Sequence, residues 1–569
     1  MTYKLRPVSA PVASGGMLRM LCLLAENPVT GPLLAGPLLK SAGVTDVRNA
    51  AASEAPWTPL SLSTTREASQ DGERQRAPSE LAASTGAAPG AAPGFRFPTC
   101  ADYQAGYRDG TLDPESVAHE ALDSCRKADE LDPKMRIFIS QLADDVLAQA
   151  RASSARWKKG QPLGPLDGVP VAVKDEVDMV PYPTTVGTKF LGKEPARVDA
   201  CVVERLRDAG AVLLGKANMH EFGMGVTGLN PNHGSARNPY DPTRCTGGSS
   251  SGSAAAVAAG LCPLAVGADG GGSIRTPAAF CGVVGLKPTF GRVSERGAAP
   301  VCWSLAHLGP IGATVADVVL GYSALAGPDP HDPGSLQQPL PRLDEWSVPN
   351  AKGLKLGLYR PWFEDADKPV VEACRRAVGL LVDAGAEVVE IEIPELELIR
   401  GVHLVTIVSE MAAAHVHHYA AHRTDYGLDV RLNLALARKL TNTDYVHAQR
   451  LRSRLCGHFV RALNNVDVVV TPTTGMTAPA LPANALSSGQ SNLSETVQIM
   501  LYVQAANLTG FPAITVPAGY DPAGLPIGLQ LMGRPWEEDR LLRLAAAVER
   551  YTERRKPLVF LSAPGRAAS

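Results

Sequence analysis

Three residues of nucleophile type stand in runs of unusual composition, and together they suffice for acyl transfer. Lys174 ends the apolar run Gly-Val-Pro-Val-Ala-Val at 168–173, which reads as a buried strand carrying an amine to one point. Ser249 lies in Thr-Gly-Gly-Ser-Ser-Ser-Gly-Ser at 246–253, and Ser273 follows Gly-Ala-Asp-Gly-Gly-Gly at 267–272. An ammonium is no base, and an exposed lysine is almost wholly charged at neutral pH. Burial disfavours the charged form, and making the neutral amine dominant near neutrality costs about 4 kcal/mol of folding stability. A neutral Lys174 accepts a proton, while a hydroxyl both donates and accepts. Ser249 between Lys174 and Ser273 therefore makes a two-step relay that needs no histidine.

Acyl transfer also needs donors for an oxyanion. Consecutive glycines let the backbone approach a substrate carbonyl closely, and each well-placed N–H contributes roughly 3 kcal/mol to the transition state. The candidates are the amides of Gly270, Gly271, Gly272 and Ser273. Arg275, just beyond the nucleophile, is expected to pair with Asp269 and stiffen this loop rather than touch substrate.

Competing readings of these residues are weaker. Residues 248–252 fit the G-x-S-x-G pattern of an α/β-hydrolase elbow with Ser250 as nucleophile, but 238–242 reads as loop where that elbow requires a hydrophobic strand. Residues 210–216 nearly fit a phosphate-binding loop, yet Ala217 stands where Ser or Thr is required, and the stretch reads as a helix-to-strand connection. His415, His418 and His422 share a helical face and raise a metal site. No carboxylate or cysteine has ligand-like spacing nearby, and an amphipathic or substrate-lining helix explains them as well. A single Gly-Ser run equally suits a linker. The small-residue helix expected over 253–259 argues instead for a loop held in one geometry.

Gly-Gly-Ser-Ser at 247–250, Gly-Gly-Ser-Ile-Arg at 271–275, Cys281-Gly282 and Gly-Leu-Lys-Pro-Thr at 285–289 resemble the amidase signature family. The likeness continues through 215–221, 471–476 and 524–536. It covers roughly residues 96–563 and is strongest to the plant-type fatty acid amide hydrolase branch. The resemblance implies an α/β amidase signature fold, a large mixed twisted sheet flanked by helices on both faces, with an N-terminal helical extension. It implies Ser273 as nucleophile, Ser249 as bridging serine in a cis peptide and Lys174 as general base. Gly270 and Ser251 depart from the threonine and glycine of many members. The plant-type branch shares both departures, which bear on pocket shape. The implied substrate is an N-acylethanolamine or related long-chain amide, cleaved by a homodimer with no metal and no organic cofactor. Met219 and Met224 are expected in the pocket wall. The family's glutaminase-type subunit of a tRNA-dependent amidotransferase, or a short-chain or aryl amidase, is the alternative.

The elements that must position these groups are legible in outline. A chain of 569 residues with 45% hydrophobic content supports a large core. Helix-like and strand-like stretches alternate at 202–209 and 211–214, with further strands at 466–470 and 513–516. A net charge of −2 leaves no basic footprint for nucleic acid. Ten cysteines show no pairwise or ligand spacing, which suggests reduced thiols. Sequons at Asn492 and Asn507 carry little weight without a secretion signal. The expected location is cytoplasmic or peripheral on an intracellular membrane, not secreted.

The chain divides into an apolar helical segment (1–48), a low-complexity tether (49–95), the catalytic domain (96–563) and a short tail (564–569). Within the first segment, 17–24 and 32–39 are apolar but far short of the roughly twenty residues that span a bilayer. They read as two short amphipathic helices that pack on the catalytic domain and line an acyl channel, or meet a membrane surface.

Overall fold

Strands buried on both faces read as continuous apolar runs, which is how the central strands of this chain read. The computed structural model describes residues 3, 5, 8, 10–57, 92–348 and 350–561. Its centre is an eleven-stranded sheet. In chain order the strands are β1 (Phe138–Ser140), β2 (Pro170–Lys174), β3 (Val212–Ala217), β4 (Leu264–Ala268), β5 (Val284–Lys287) and β6 (Leu308–Gly312), then β7 (Lys355–Leu358), β8 (Glu387–Glu390), β9 (Val468–Pro472), β10 (Ala513–Tyr520) and β11 (Pro526–Gly533). The spatial order is β8-β7-β9-β11-β10-β5-β6-β4-β2-β3-β1. The pairings β7 with β8 and β9, and β2 with β3 and β4, are parallel, whereas the strands between them run antiparallel. The sheet is therefore mixed, as expected.

Alternation across β2 explains where its lysine goes. Val171 and Val173 enter a core with Val202, Val203 and Leu206, while Ala172 faces the small-residue helix that follows Ser249. Lys174, two residues on from Ala172, falls on the Ala172 face at the carboxyl end of the strand. Helices Val315–Leu325, Lys368–Asp383 and Glu538–Tyr551 cover β5, β9, β10 and β11 on one face.

Nine further helices bear on the site: α1 (Gly15–Glu26), α2 (Thr30–Ser41), α3 (Val44–Asn49), α4 (Ser251–Ala258), α5 (Arg275–Phe280), α6 (Ile399–Ala414), α7 (Leu428–Ala437), α8 (Asn442–Leu463) and α9 (Gln504–Thr509). Two local expectations change. The stretch 238–242 is loop only at its turn, 239–240: Asp241–Cys245 pairs with Arg237–Asn238 in a half-buried hairpin outside the main sheet. The histidine run is not one helix either. It breaks at His415 between α6 and Val416–His422, so His415 and His422 do not share a face.

The N-terminal segment packs on the catalytic domain. Leu18, Cys22 and Ala25 of α1 are buried against Leu432 and Ala435 of α7. Glu26 receives both Arg431 donors at 2.7 Å and the Tyr419 hydroxyl at 3.0 Å. Ala13–Ser14 pairs with Gln490–Ser491 as a short antiparallel ribbon. The start of α3 touches α6 where only glycine fits, because a Cβ on Gly401 would lie 2.7 Å from the Gly43 carbonyl oxygen. Residues 50–57, expected in the tether, instead run along α8. Trp57 N donates to the Gln449 carbonyl (3.0 Å), the Arg452 guanidinium lies 3.4 Å from the Trp57 ring centroid, and Glu54 pairs with Arg454. A tryptophan and a carboxylate give this part of a small-residue run something to bind with. Residues 92–95, also expected in the tether, pack on the catalytic domain as well, with Phe95 N donating to the Arg554 carbonyl (2.8 Å) and its ring against Phe560, while 58–91 and the tail at 564–569 lie outside the described residues.

Replacing Glu26 with alanine leaves Arg431 and Tyr419 without their shared acceptor, a loss of about 2 kcal/mol. Amide exchange within α1 should accelerate roughly thirty-fold while the sheet amides are unaffected. Equal acceleration in both would show that α1 has no separate anchor.

Candidate active site

The site assembles at the carboxyl ends of β2 and β4, where two glycine-rich loops meet. Lys174 is 1% exposed. Its Nζ is 2.7 Å from Ser249 Oγ, donates to the Ala268 carbonyl at 3.1 Å, and lies 3.2 Å from Glu176 Oε2. Burial pushes the amine below the ordinary lysine range, and the Glu176 carboxylate pulls the other way. The partners suit a neutral amine. Carbonyl and carboxylate can only accept, so they take its two N–H groups, and the lone pair is left facing Ser249, the one partner able to donate.

Ser249 follows a cis Gly248–Ser249 peptide and is buried beneath the N-terminus of α4. Its carbonyl accepts from His220 N (3.1 Å) and Ser251 N (2.9 Å). Ser250 faces away from the chemistry: its hydroxyl donates to the Ala268 carbonyl at 3.2 Å and its amide to the Ser273 carbonyl at 3.3 Å. The elbow reading fails on that orientation.

The loop before Ser273 is built around Asp269. Its carboxylate accepts from Gly272 N (2.6 Å), Ile274 N (3.1 Å), Arg275 Nε (2.9 Å) and Nη2 (3.0 Å), and Asn507 Nδ2 (2.9 Å). Burial alone would push this carboxyl up, but the Arg275 guanidinium and the amide donors hold it far below the carboxylate range. Arg275 is fully buried and also donates to Val503 O, Gln530 Oε1 and Asn507 Oδ1, so it ties the loop to α9 and β11.

The Asp269 contact corrects one expectation about the oxyanion donors. The Gly272 amide is engaged by Asp269 Oδ1, and Gly272 does not line the cavity. Gly270, Gly271 and Ser273 do line it, and their amides have no hydrogen-bond partner among the described residues. The glycines are required by space as well: a Cβ on Gly270 would lie 2.6 Å from Cys302 Sγ, and one on Gly271 2.8 Å from the His403 ring.

Lys174, Ser249 and Ser273 share one cavity of about 1480 Å³, counting its open mouth. Its walls include Phe222, Met224, Val301, Leu404, Ile407 and Met411, with Gln490 and Asn492 at a more polar part and Ala42, after α2, on one flank. Met219 is not in this wall; it is packed in the core with Phe190 and Phe222. His415 meets Tyr426, and His422 stacks on Phe190 at 4.4 Å and lies 3.2 Å from Asp425. Neither sequon asparagine is an exposed side chain. Asn507 is fully buried and Asn492 accepts from Glu495 N as a helix cap. All ten cysteines are free, nine of them buried.

Sequence reasoning missed Glu176 and His403. Glu176 has a local signal, a charge two residues past a lysine that ends an apolar strand. His403 has none, since its partner lies 133 residues away.

Comparison with known proteins shows the family. The amidase family model matches residues 121–542. A fatty acid amide hydrolase from Arabidopsis thaliana is 40% identical, covering 98% of this chain and 96% of its own. One from Oryza sativa subsp. indica is 44% identical over 82% of this chain and 79% of its own. A native peptide amidase from Stenotrophomonas maltophilia has a similar fold, with TM-score 0.70 and 31% identity over 81% of this chain and 98% of that one. With its matching fold and near-full-length relatives, this chain belongs to the amidase family and is an amide hydrolase.

Proposed function

We propose that this hydrolase cleaves long-chain acyl amides, N-acylethanolamines among them, through an acyl-enzyme on Ser273. The observation that carries the reading is the 2.7 Å contact between a buried lysine amine and Ser249 in an apolar cavity that Ser273 also lines. Neutral Lys174 takes the Ser249 proton as Ser249 takes that of Ser273, and Ser273 Oγ attacks the substrate carbonyl. The Gly270, Gly271 and Ser273 amides receive the oxyanion. The proton returns along the relay to the departing amine, and water then releases the fatty acid by the same steps. The aliphatic walls suit a long acyl chain.

Membrane-surface contact through the N-terminal helices forms part of this proposal. Met17, Met20, Leu23, Val29 and Leu33 are 47% to 74% exposed on α1, α2 and their junction, and among the described residues no helix is long and apolar enough to cross a membrane. Leu23→Glu and Leu33→Glu together should reduce co-sedimentation with phospholipid vesicles and leave turnover of a soluble amide unchanged. Undiminished sedimentation would remove membrane contact from the reading.

Purified enzyme is expected to hydrolyse long-chain acyl amides in preference to glutamine or acetanilide. Ser273→Ala should abolish turnover. Lys174→Ala should lower kcat/KM by about 10²- to 10⁴-fold in a folded protein. A preference for glutamine, or retained turnover in either variant, would overturn the proposal.

Glu176→Gln tests the lysine's protonation. Activity must rise with pH as Lys174 loses its proton, and the carboxylate holds that proton on. Removing the charge therefore lowers the lysine pKa, and the rising limb of kcat/KM should move to lower pH. A limb that stays in place would mean that another group activates Ser273.

A further inference from the structure

The glycines that make room for an oxyanion also remove what would keep the peptide between them from turning over. Gly270 and Gly271 have no Cβ to resist rotation of their shared peptide. Turned over, that unit would present the Gly270 carbonyl oxygen, rather than the Gly271 N–H, to the substrate, and a carbonyl repels an oxyanion. Something outside the loop must select one orientation.

His403, on α6, is in contact with that peptide. It is 1% exposed, lines the cavity, and its Nε2 lies 3.0 Å from the Gly270 carbonyl oxygen. A carbonyl only accepts, so Nε2 carries the hydrogen. Nδ1 then accepts from Gln504 Nε2 at 3.4 Å, at the start of α9. Burial pushes the imidazole down to about 4, which keeps it neutral and this arrangement intact near neutral pH. With both nitrogens engaged, His403 has no free lone pair for proton transfer and is not a second base.

We propose that His403 is a positioning residue for the oxyanion hole: by donating to the Gly270 carbonyl it fixes the Gly270–Gly271 peptide so that the Gly271 N–H faces the reacting carbonyl. The inference rests on the acyl-enzyme reading above. It explains why a polar ring sits among Leu404, Ile407 and Met411 on a helix face that otherwise lines an apolar cavity. Lining alone would be served as well by leucine.

The test uses His403→Leu and His403→Gln in the full chain. Three quantities are read: kcat and KM on a soluble acyl amide, affinity for a trifluoromethyl ketone, and affinity for a non-hydrolysable ether analogue of the substrate. The ketone adds Ser273 Oγ to its carbonyl carbon, the hydroxyl proton leaves along the relay, and the resulting hemiketal oxyanion occupies the hole. For His403→Leu, kcat should fall roughly 10- to 100-fold, less than the roughly 100- to 1,000-fold for removing an oxyanion donor outright, because the donor is mispositioned and not deleted. Ketone affinity should fall by a similar factor, with KM and ether affinity within about three-fold of wild type. Glutamine, which can donate from its side-chain amide, should recover most of the loss. Should His403→Leu not fold, Gln504→Leu, which strips the donor from Nδ1, is read by the same split. Unchanged kcat and ketone affinity, or equal losses for ketone and ether, would overturn the inference. Wild-type turnover that vanishes in Ser273→Ala secures the underlying reading independently, so the His403 result then reports on positioning alone.

Discussion

A primary amine held out of water against a hydroxyl is the constraint around which the catalytic half of this molecule is arranged. Lys174 must sit among apolar side chains for its charge to be disfavoured, yet a buried amine without partners would be costlier still. Parallel pairing of β2 with β3 and β4 meets the first demand by burying the strand on both faces. The loops after β2 and β4 meet the second, since Ala268 O, Glu176 and Ser249 all stand at the strand ends. The carboxyl ends of parallel strands are where loops converge and where open α/β sheets hold their ligands. A lysine on the last residue of such a strand reaches them without crossing the core.

The Ser273 loop depends on a second buried charge used in the opposite way. Lys174 is driven toward neutrality, whereas Asp269 stays ionised because every donor around it favours the anion. Arg275 suits the task because its planar fork offers several donors in fixed directions, toward Asp269, Gln530, Val503 and Asn507 at once. A lysine there would satisfy one or two of these and leave the others buried and unpaired. The Ser273 loop is thereby referenced to α9 and β11, more than 220 residues downstream in sequence.

Those sequence separations explain what was legible beforehand. The strands near 211–214, 466–470 and 513–516, the Lys174 strand and the two serine loops announce themselves through composition over five to ten neighbouring residues, because burial and tight backbone approach leave local marks. The Asp269–Arg275 pairing was readable for the same reason, being six residues apart. The Gly272 amide was misassigned because a glycine run shows that several N–H groups can approach a point, not which one an aspartate will capture. Met219 misled similarly: an apolar residue near the motif is equally suited to core or cavity, and only packing decides. His403 and the seat of residues 50–57 on α8 depend on contacts across more than a hundred residues, and no local pattern marks them.

Glu176 at first opposes the site's own logic, since it restores part of the charge that burial removes from Lys174. The opposition is resolved by what a base must do. An amine made neutral by desolvation alone is also a poor proton acceptor, because the ammonium it becomes is as unwelcome as the one that was expelled. Base efficiency peaks where the free fraction and the proton affinity are both substantial, near the working pH. A carboxylate at 3.2 Å raises proton affinity at a modest loss of free base, and it does so most strongly when the ammonium forms during attack. In the proposed relay its benefit thus falls on the transition state more than on the resting enzyme, and only such differential stabilisation accelerates the chemical step.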